Sequence, residues 1–162
     1  MEFLKAPTRI GTVLLGLLAG VALFAEPAHA AGDPEAGKQR AVTCAACHGP
    51  DGNSVNPDWP SIAGQNERYF SETLMAFKTG KRKNPLMTAQ AMLLTDTEIA
   101  NLAAYYADQK ATQRTADPSL ASKGERLYRG GNKANKVSAC IACHGPTGRG
   151  NAPAGYPQLT GQ

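Results

Sequence analysis

Two short stretches decide how this chain of 162 residues is interpreted: CAACH at residues 44–48 and CIACH at residues 140–144. Both are copies of C-x-x-C-H, the attachment sequence of c-type haem, and together they contain all four cysteines. In this motif the two thiols bind the haem vinyl groups and the histidine binds the iron. The sequence therefore predicts two covalently bound haem c groups. The expected residues are four thioether-forming cysteines and two iron ligands, namely Cys44, Cys47, Cys140 and Cys143, and His48 and His144.

Three other uses of paired cysteines compete with haem attachment. A four-cysteine zinc site needs its two pairs close together, whereas Cys47 and Cys140 are much further apart than in a zinc ribbon. A thiol–disulfide oxidoreductase needs a strand before its motif, and no Val/Ile-rich strand precedes either copy. Structural disulfides stay open for an exported protein. Repetition of the five-residue pattern, each time followed by Gly-Pro, favours haem.

The N-terminus predicts export. Lys5 and Arg9 precede an uncharged apolar run over residues 10–25, and AHA at residues 28–30 has the small-x-small pattern of a cleavage site. The run is shorter than the roughly 20 residues that span a bilayer. We therefore predict a cleaved signal peptide at residues 1–30. The expected destination is the periplasm, with the outer face of a Gram-positive membrane left open.

The two halves of the chain repeat each other. Residues 44–50 match residues 140–146, and residues 60–65 match residues 157–162, with one residue inserted between the two matches. The first copy continues to Gln109, so the second domain is expected to be incomplete at its C-terminus. The predicted organisation after the signal peptide has three parts: a first domain with haem 1 at 31–112, a linker at 113–120, and a partial second domain with haem 2 at 121–162.

Helix signals dominate the first repeat, and strand signals are absent. Asp33 followed by a proline and an acid predicts a helix that leads into the haem motif. Residues 49–65 are rich in loop-forming residues, and residues 67–79 have helical apolar spacing. A capping box at residues 95–98 begins a further helix. The predicted fold class is all-α, with short helices around haem.

The composition of the chain limits which residues can be the second axial ligand of the iron. After removal of the signal peptide, His48 and His144 are the only histidines, so methionine is the natural candidate. Met75 lies within a predicted helix and is interpreted as core packing. Met87 follows Asn-Pro-Leu in a predicted loop between helices and is the preferred ligand, with Met92 in the same stretch as the alternative. None of the three methionines lies after the predicted linker.

An ordered series of motifs resembles the cytochrome c4 family of dihaem class I cytochromes. The series comprises GDPEAG at 32–37, C-x-x-C-H-G at 44–49, P-x-x-x-G-Q-x-x-x-Y at 60–69, FKTG at 77–80, MT at 87–88 and AAYY at 103–106. The resemblance covers nearly all of the predicted mature chain. It implies two tandem class I cytochrome c-like domains that carry electrons in the periplasm, often from a quinol-oxidising complex towards terminal oxidases.

The resemblance also implies roles for individual residues. The first haem is expected on Cys44, Cys47, His48 and Met87, whereas the second receives only its cysteines and histidine from this chain. In such cytochromes a proline carbonyl accepts a hydrogen bond from the ligating imidazole, a bond that fixes its tautomer and aim. That role falls to Pro60 and Pro157, with an ordinary turn proline as the alternative.

The expected function is electron transfer and not catalysis. No free histidine or thiol is left to act as base or nucleophile, which argues against hydrolytic chemistry. Expected partners are a quinol-oxidising complex, a dehydrogenase or a terminal oxidase, and peripheral membrane association stays open. The alternatives are a cytochrome subunit of a periplasmic dehydrogenase, and a haem enzyme or gas sensor with an open iron position.

The charge of the chain does not point to nucleic acid. The formal net charge is +4, which haem propionates could offset, and no basic helix carries interleaved aromatic residues. We therefore predict no nucleic-acid partner. The run KRK at residues 81–83 is either a docking patch for an acidic partner or a solvated loop.

Overall fold

The computed structural model describes residues 32–162, so the predicted signal peptide lies outside the described residues. Within that range there is no strand beyond two isolated bridges, and the predicted all-α class is confirmed. None of the described helices has the length and apolarity needed to cross a membrane. Residues 32–162 form six helices and a 3-10 turn at Ala152–Ala154. The helices are α1 Pro34–His48, α2 Glu67–Lys78, α3 Pro85–Met92, α4 Asp96–Ala107, α5 Pro118–Gly130 and α6 Ile141–His144.

Helix α1 carries the first haem motif on its own last turns. Its N-cap is Asp33, whose carboxylate accepts hydrogen bonds from the backbone N–H groups of Glu35 and Ala36 at 2.9 and 3.2 Å. The helix continues through both cysteines and ends at His48, where Gly49 adopts a φ of +84°. Because the motif is helical, the two thiols are held one turn apart on a rigid element.

Helices α1 and α4 cross at very short distance. A Cβ atom at Gly37 would overlap the backbone oxygen of Asn101, so only glycine permits this approach. Helix α4 starts with the predicted capping box, in which Thr95 and Glu98 each bond the other's backbone. These Thr95 bonds lower the pKa of Glu98 below its usual value. The α4 side chains predicted to face the core, Ile99, Leu102, Ala103 and Tyr106, are all buried.

The expectation that Met87 lies in a loop is wrong. Residues 85–92 form α3, and Met87 lies in its first turn. Asn84 caps the helix by accepting hydrogen bonds from the N–H groups of Leu86 and Met87, both at 3.0 Å. Pro85 occupies the first helical position, where its missing N–H costs nothing. The Asn-Pro pair is thus a helix start.

The second repeat is built differently from the first. Helix α5 begins at Pro118, inside the expected linker at 113–120, and buries none of its residues. An antiparallel bridge between Asn132 and Val137 separates it from α6, the single turn that carries the second motif. In the first repeat one continuous helix, α1, carries the corresponding motif. The domain boundaries stay predictions.

The α1–α4 crossing makes Gly37 a sensitive position. We expect Gly37→Ala to lower the free energy of unfolding by about 1–3 kcal/mol, the usual cost of overpacking a rigid site. The measurement is urea unfolding followed by circular dichroism. The matched control is Gly124→Ala in α5, where an added Cβ meets nothing within 4 Å, so stability should be unchanged or slightly higher. Equal effects of the two variants would contradict the proposed crossing constraint.

Candidate haem-binding sites

The first motif opens onto one large cavity of about 730 Å³. Cys44, Cys47, His48 and Met87, the four residues predicted to hold haem 1, all line it. Its walls are mainly apolar side chains from α2 and α4 and the turn before α4, including Phe70, Leu74, Phe77, Leu94 and Leu102. Volume, apolar walls and a few converging polar groups are typical of a site for a large organic cofactor.

The donor chemistry of the cavity also suits haem. Both thiols are free, with Cys47 exposed and Cys44 half-buried, so each can form a thioether. The buried Tyr106 hydroxyl lies beside Cys44, and burial raises the pKa of Tyr106 far above its usual value. The phenol therefore stays neutral beside the attachment site. The residues present fit a covalently bound haem.

His48 is held in one tautomer. Its Nδ1 atom lies 2.8 Å from the carbonyl oxygen of Pro60, and a carbonyl oxygen can only accept. Nδ1 must therefore carry the proton, which leaves the lone pair of Nε2 for a metal. The imidazole is also buried, with 8% of its surface exposed. The hydrogen bond expected for Pro60 from the family resemblance is present.

Of the three methionines in residues 32–162, only Met87 reaches the same cavity as His48. Met87 lines it, whereas Met92 is 65% exposed and is not among the lining residues. Met75 packs against the hydrophobic core, as the sequence indicated. Placement on the first turn of α3, and not backbone freedom, brings Met87 to the cavity. Its role as iron ligand stays a prediction.

The second motif repeats the histidine support. His144 Nδ1 lies 2.8 Å from the carbonyl oxygen of Pro157, the same arrangement as in the first repeat. Tyr128 donates a hydrogen bond to the carbonyl of Gly145 and so ties α5 to the residue after the motif. The ring of Tyr156 lies edge-on to the imidazole, 6.2 Å away between centroids. Cys140 and Cys143 are half-buried and free.

The two repeats contact each other through the segments that support their histidines. Gln65 Nε2 donates to the carbonyl of Gln158 at 3.1 Å, and Gln162 Nε2 donates to the carbonyl of Ser61 at 2.7 Å. In the repeat alignment Gln65 corresponds to Gln162 and Ser61 corresponds to Gln158. The two bonds are therefore reciprocal, as across a two-fold axis. Sequence repetition revealed the segments but not their contact.

The segment at residues 110–114, which leads into the predicted linker, packs on the loop after the first motif. Asn53 donates through Nδ2 to the Lys110 carbonyl at 3.0 Å and accepts from the Thr112 N–H at 2.7 Å. Arg114 donates to the Ser54 carbonyl and to the Ser61 hydroxyl. No sequence pattern marked these residues, because a single arginine or asparagine in a polar stretch has no recognisable spacing.

A helical fold, two C-x-x-C-H motifs and imidazoles held by proline carbonyls define a c-type cytochrome. The cytochrome c family model matches residues 34–110. Cytochrome c4 of Azotobacter vinelandii is 48% identical over 144 residues, which cover 83% of this chain and 69% of that protein. The crystal structure of reduced recombinant cytochrome c4 from Pseudomonas stutzeri superposes with a TM-score of 0.76 and 43% identity, covering 80% of this chain and 73% of that one.

The chain belongs to the cytochrome c4 family, which confirms the resemblance noted in its motifs. Its cofactor is covalently bound haem c, and it is a dihaem electron carrier and not an enzyme. The thiosulfate dehydrogenase electron acceptor of Thiomonas intermedia is also similar, at 36% identity over 149 residues, 88% of this chain and 65% of that protein.

Replacement of the two candidate methionines separates their roles. Axial ligands set haem potentials over a range of about 0.8 V, so Met87→Ala should lower the potential of one haem by tenths of a volt. The same variant should lose the weak near-infrared band of sulfur-ligated ferric haem. Met92→Ala is the control and should leave both signals unchanged, because its side chain is exposed. The opposite pattern would assign the ligand to Met92.

Proposed function

We propose that this chain is an exported, periplasmic electron carrier that holds one haem on each motif. Cys44 and Cys47, with His48 and Met87 as axial ligands, serve the first haem, and Cys140, Cys143 and His144 serve the second. The observation that carries the proposal is the cavity onto which both thiols, the oriented imidazole and Met87 converge. The signal-peptide pattern at residues 1–30 supports export.

Bound haem supplies an iron that accepts and releases one electron. The chain's own residues keep this centre dry and rigid. Phe70, Leu74 and Phe77 of α2 exclude water from the cavity, and an apolar environment with a thioether ligand favours a high potential. The bond from His48 to Pro60 fixes the imidazole, so little reorganisation accompanies a change of charge.

The contact between the two repeats supports a pair of centres that work together. The turns after Pro60 and Pro157 touch through reciprocal glutamine bonds, and residues 157–159 also line the first cavity. A direct connection between the two turns that support the histidines favours exchange of an electron within one chain.

Redox proteins are the partners, and we propose a quinol-oxidising complex or a dehydrogenase as donor and a terminal acceptor downstream. The similarity to a thiosulfate dehydrogenase electron acceptor favours a dehydrogenase as one donor. The run at residues 81–83 lies at the rim of the first cavity, because Arg82 lines it and its guanidinium lies 4.8 Å from the centre of the Phe77 ring. Lys81 and Lys83 are exposed, and an acidic partner face would fit there.

Covalent attachment is the direct test of the proposal. Protein co-expressed with a cytochrome c maturation system should be heavier than the processed chain by two haems. Cys140→Ala combined with Cys143→Ala should reduce this to one haem and leave the spectrum of the first haem nearly unchanged. Intact-mass spectrometry measures both. A protein without covalent haem under these conditions would overturn the proposed function.

The docking role of the basic run predicts a charge effect on electron exchange. Lys83→Glu should slow oxidation of the reduced protein by anionic ferricyanide by about tenfold at low salt and less at high salt, because steering is screened. Oxidation by a cationic cobalt–phenanthroline complex should become faster. Lys123→Glu in α5 makes the same change of net charge away from the cavity rim and is the control. Equal effects of both variants would show that only the net charge of the protein matters, and would contradict the docking role of residues 81–83.

A further inference from the structure

Gln65 is a buried residue of the first repeat whose side-chain amide forms hydrogen bonds with the backbone of the second repeat. Its Oε1 atom accepts a hydrogen bond from the Gln158 N–H at 2.8 Å, and its Nε2 atom donates to the Gln158 carbonyl at 3.1 Å. The side chain thus pairs with both backbone groups of one residue. Only 7% of Gln65 is exposed, so water competes little for these bonds.

The Gln158 N–H belongs to the same peptide group as the Pro157 carbonyl. That carbonyl accepts the Nδ1–H of His144 at 2.8 Å. The three groups therefore form one chain, from the His144 imidazole through the Pro157–Gln158 peptide to Gln65 Oε1. Hydrogen bonds in such a chain polarise one another, so a bond accepted at the N–H end strengthens the carbonyl as an acceptor.

The amide of Gln65 is itself held in one orientation. Its Oε1 atom also accepts from the backbone N–H of Asn66 at 3.0 Å and from Asn66 Nδ2 at 3.3 Å. Because only donors face this atom, it must be the oxygen and not the nitrogen. Asn66 is in turn the N-cap of α2, where its Oδ1 accepts from the Tyr69 N–H. Gln65 is therefore anchored to a rigid helix end.

The reciprocal bond does not reproduce this chain. Gln162 Nε2 donates to the Ser61 carbonyl, which lies one peptide beyond the carbonyl that accepts from His48. The described contacts thus connect the first repeat to the imidazole of the second more directly than the reverse. Within residues 32–162, the first repeat therefore bonds the peptide that supports the histidine of the second repeat, whereas the second repeat does not bond the peptide that supports His48.

We propose that Gln65 is a positioning residue for His144: a side chain of the first repeat sets the orientation and hydrogen-bond strength of the histidine in the second. The inference rests on the proposed role of His144 as an iron ligand. A stronger acceptor at Nδ1–H makes the imidazole a better electron donor. Gln65 then lowers the reduction potential of the second haem and leaves the support of His48 unchanged.

The test is nuclear magnetic resonance of the reduced holoprotein with ¹⁵N-labelled histidine. In Gln65→Leu the Nδ1–H resonance of His144 should move upfield and that of His48 should stay in place. The potential of the second haem should rise. Hydrogen exchange of the Gln158 amide should become about tenfold faster, as expected for loss of one hydrogen bond. Gln65→Glu keeps an oxygen opposite the Gln158 N–H and makes it a stronger acceptor, so the His144 resonance should move downfield.

The matched control is Arg68→Leu. It removes another bond between the repeats, from Arg68 Nη1 to the Pro153 carbonyl at 2.6 Å, which does not connect to a histidine. The His144 resonance should not move in this variant. An unmoved His144 resonance in Gln65→Leu, or the same shift in Arg68→Leu, would overturn the inference. If Gln65→Leu does not fold, the direction of the shift in Gln65→Glu decides. Failure of the proposed function is separate, since it appears as a missing haem in the mass spectrum.

Discussion

The hydrogen bond from an imidazole Nδ1–H to a proline carbonyl is the interaction on which both sites depend. A histidine that follows its cysteines on a helix can adopt several side-chain rotamers. The hydrogen bond from Nδ1 to the proline carbonyl, 2.8 Å long in each repeat, holds it in one. The carbonyl must come from a loop that returns to the helix end. The loop after the first motif is therefore as much a part of the site as the motif itself, and residues 110 and 112, just before the predicted linker, bond it through Asn53.

A second constraint follows from how little core the first repeat has. Its buried side chains come mainly from α2 and α4, and much of the remaining apolar surface lines the cavity. A bound macrocycle would cover that surface, so cofactor binding and folding stability are linked. The close crossing of α1 and α4 at Gly37 supplies the rigidity that the small core cannot.

Local signals made most of the first repeat predictable. Asp33, the capping box at residues 95–98 and the apolar spacing of α4 act through neighbouring residues, and the structure confirms each. Met87 shows the limit of such signals, because Asn84-Pro85 is typical of a loop by sequence although the same pair begins a helix here. The contact of Gln65 with Gln158 joins residues far apart in sequence, and no periodicity or motif spacing encodes such a pairing.

Internal repetition gives the two sites the same histidine support, and the contact between the repeats adds a difference between these supports. The same hydrogen-bonded proline occurs twice, yet Gln65 bonds the peptide that accepts from His144, whereas Gln162 bonds one peptide further from His48. Two haems in identical settings would have equal potentials, and an electron would have no preferred position. Under the proposed role of Gln65, a difference in the polarity of one supporting peptide contributes to ordering them, because each hydrogen bond in a buried chain changes the strength of the next. The interface between the repeats therefore adds an asymmetry of its own to the one set by Met87, which lines the first cavity.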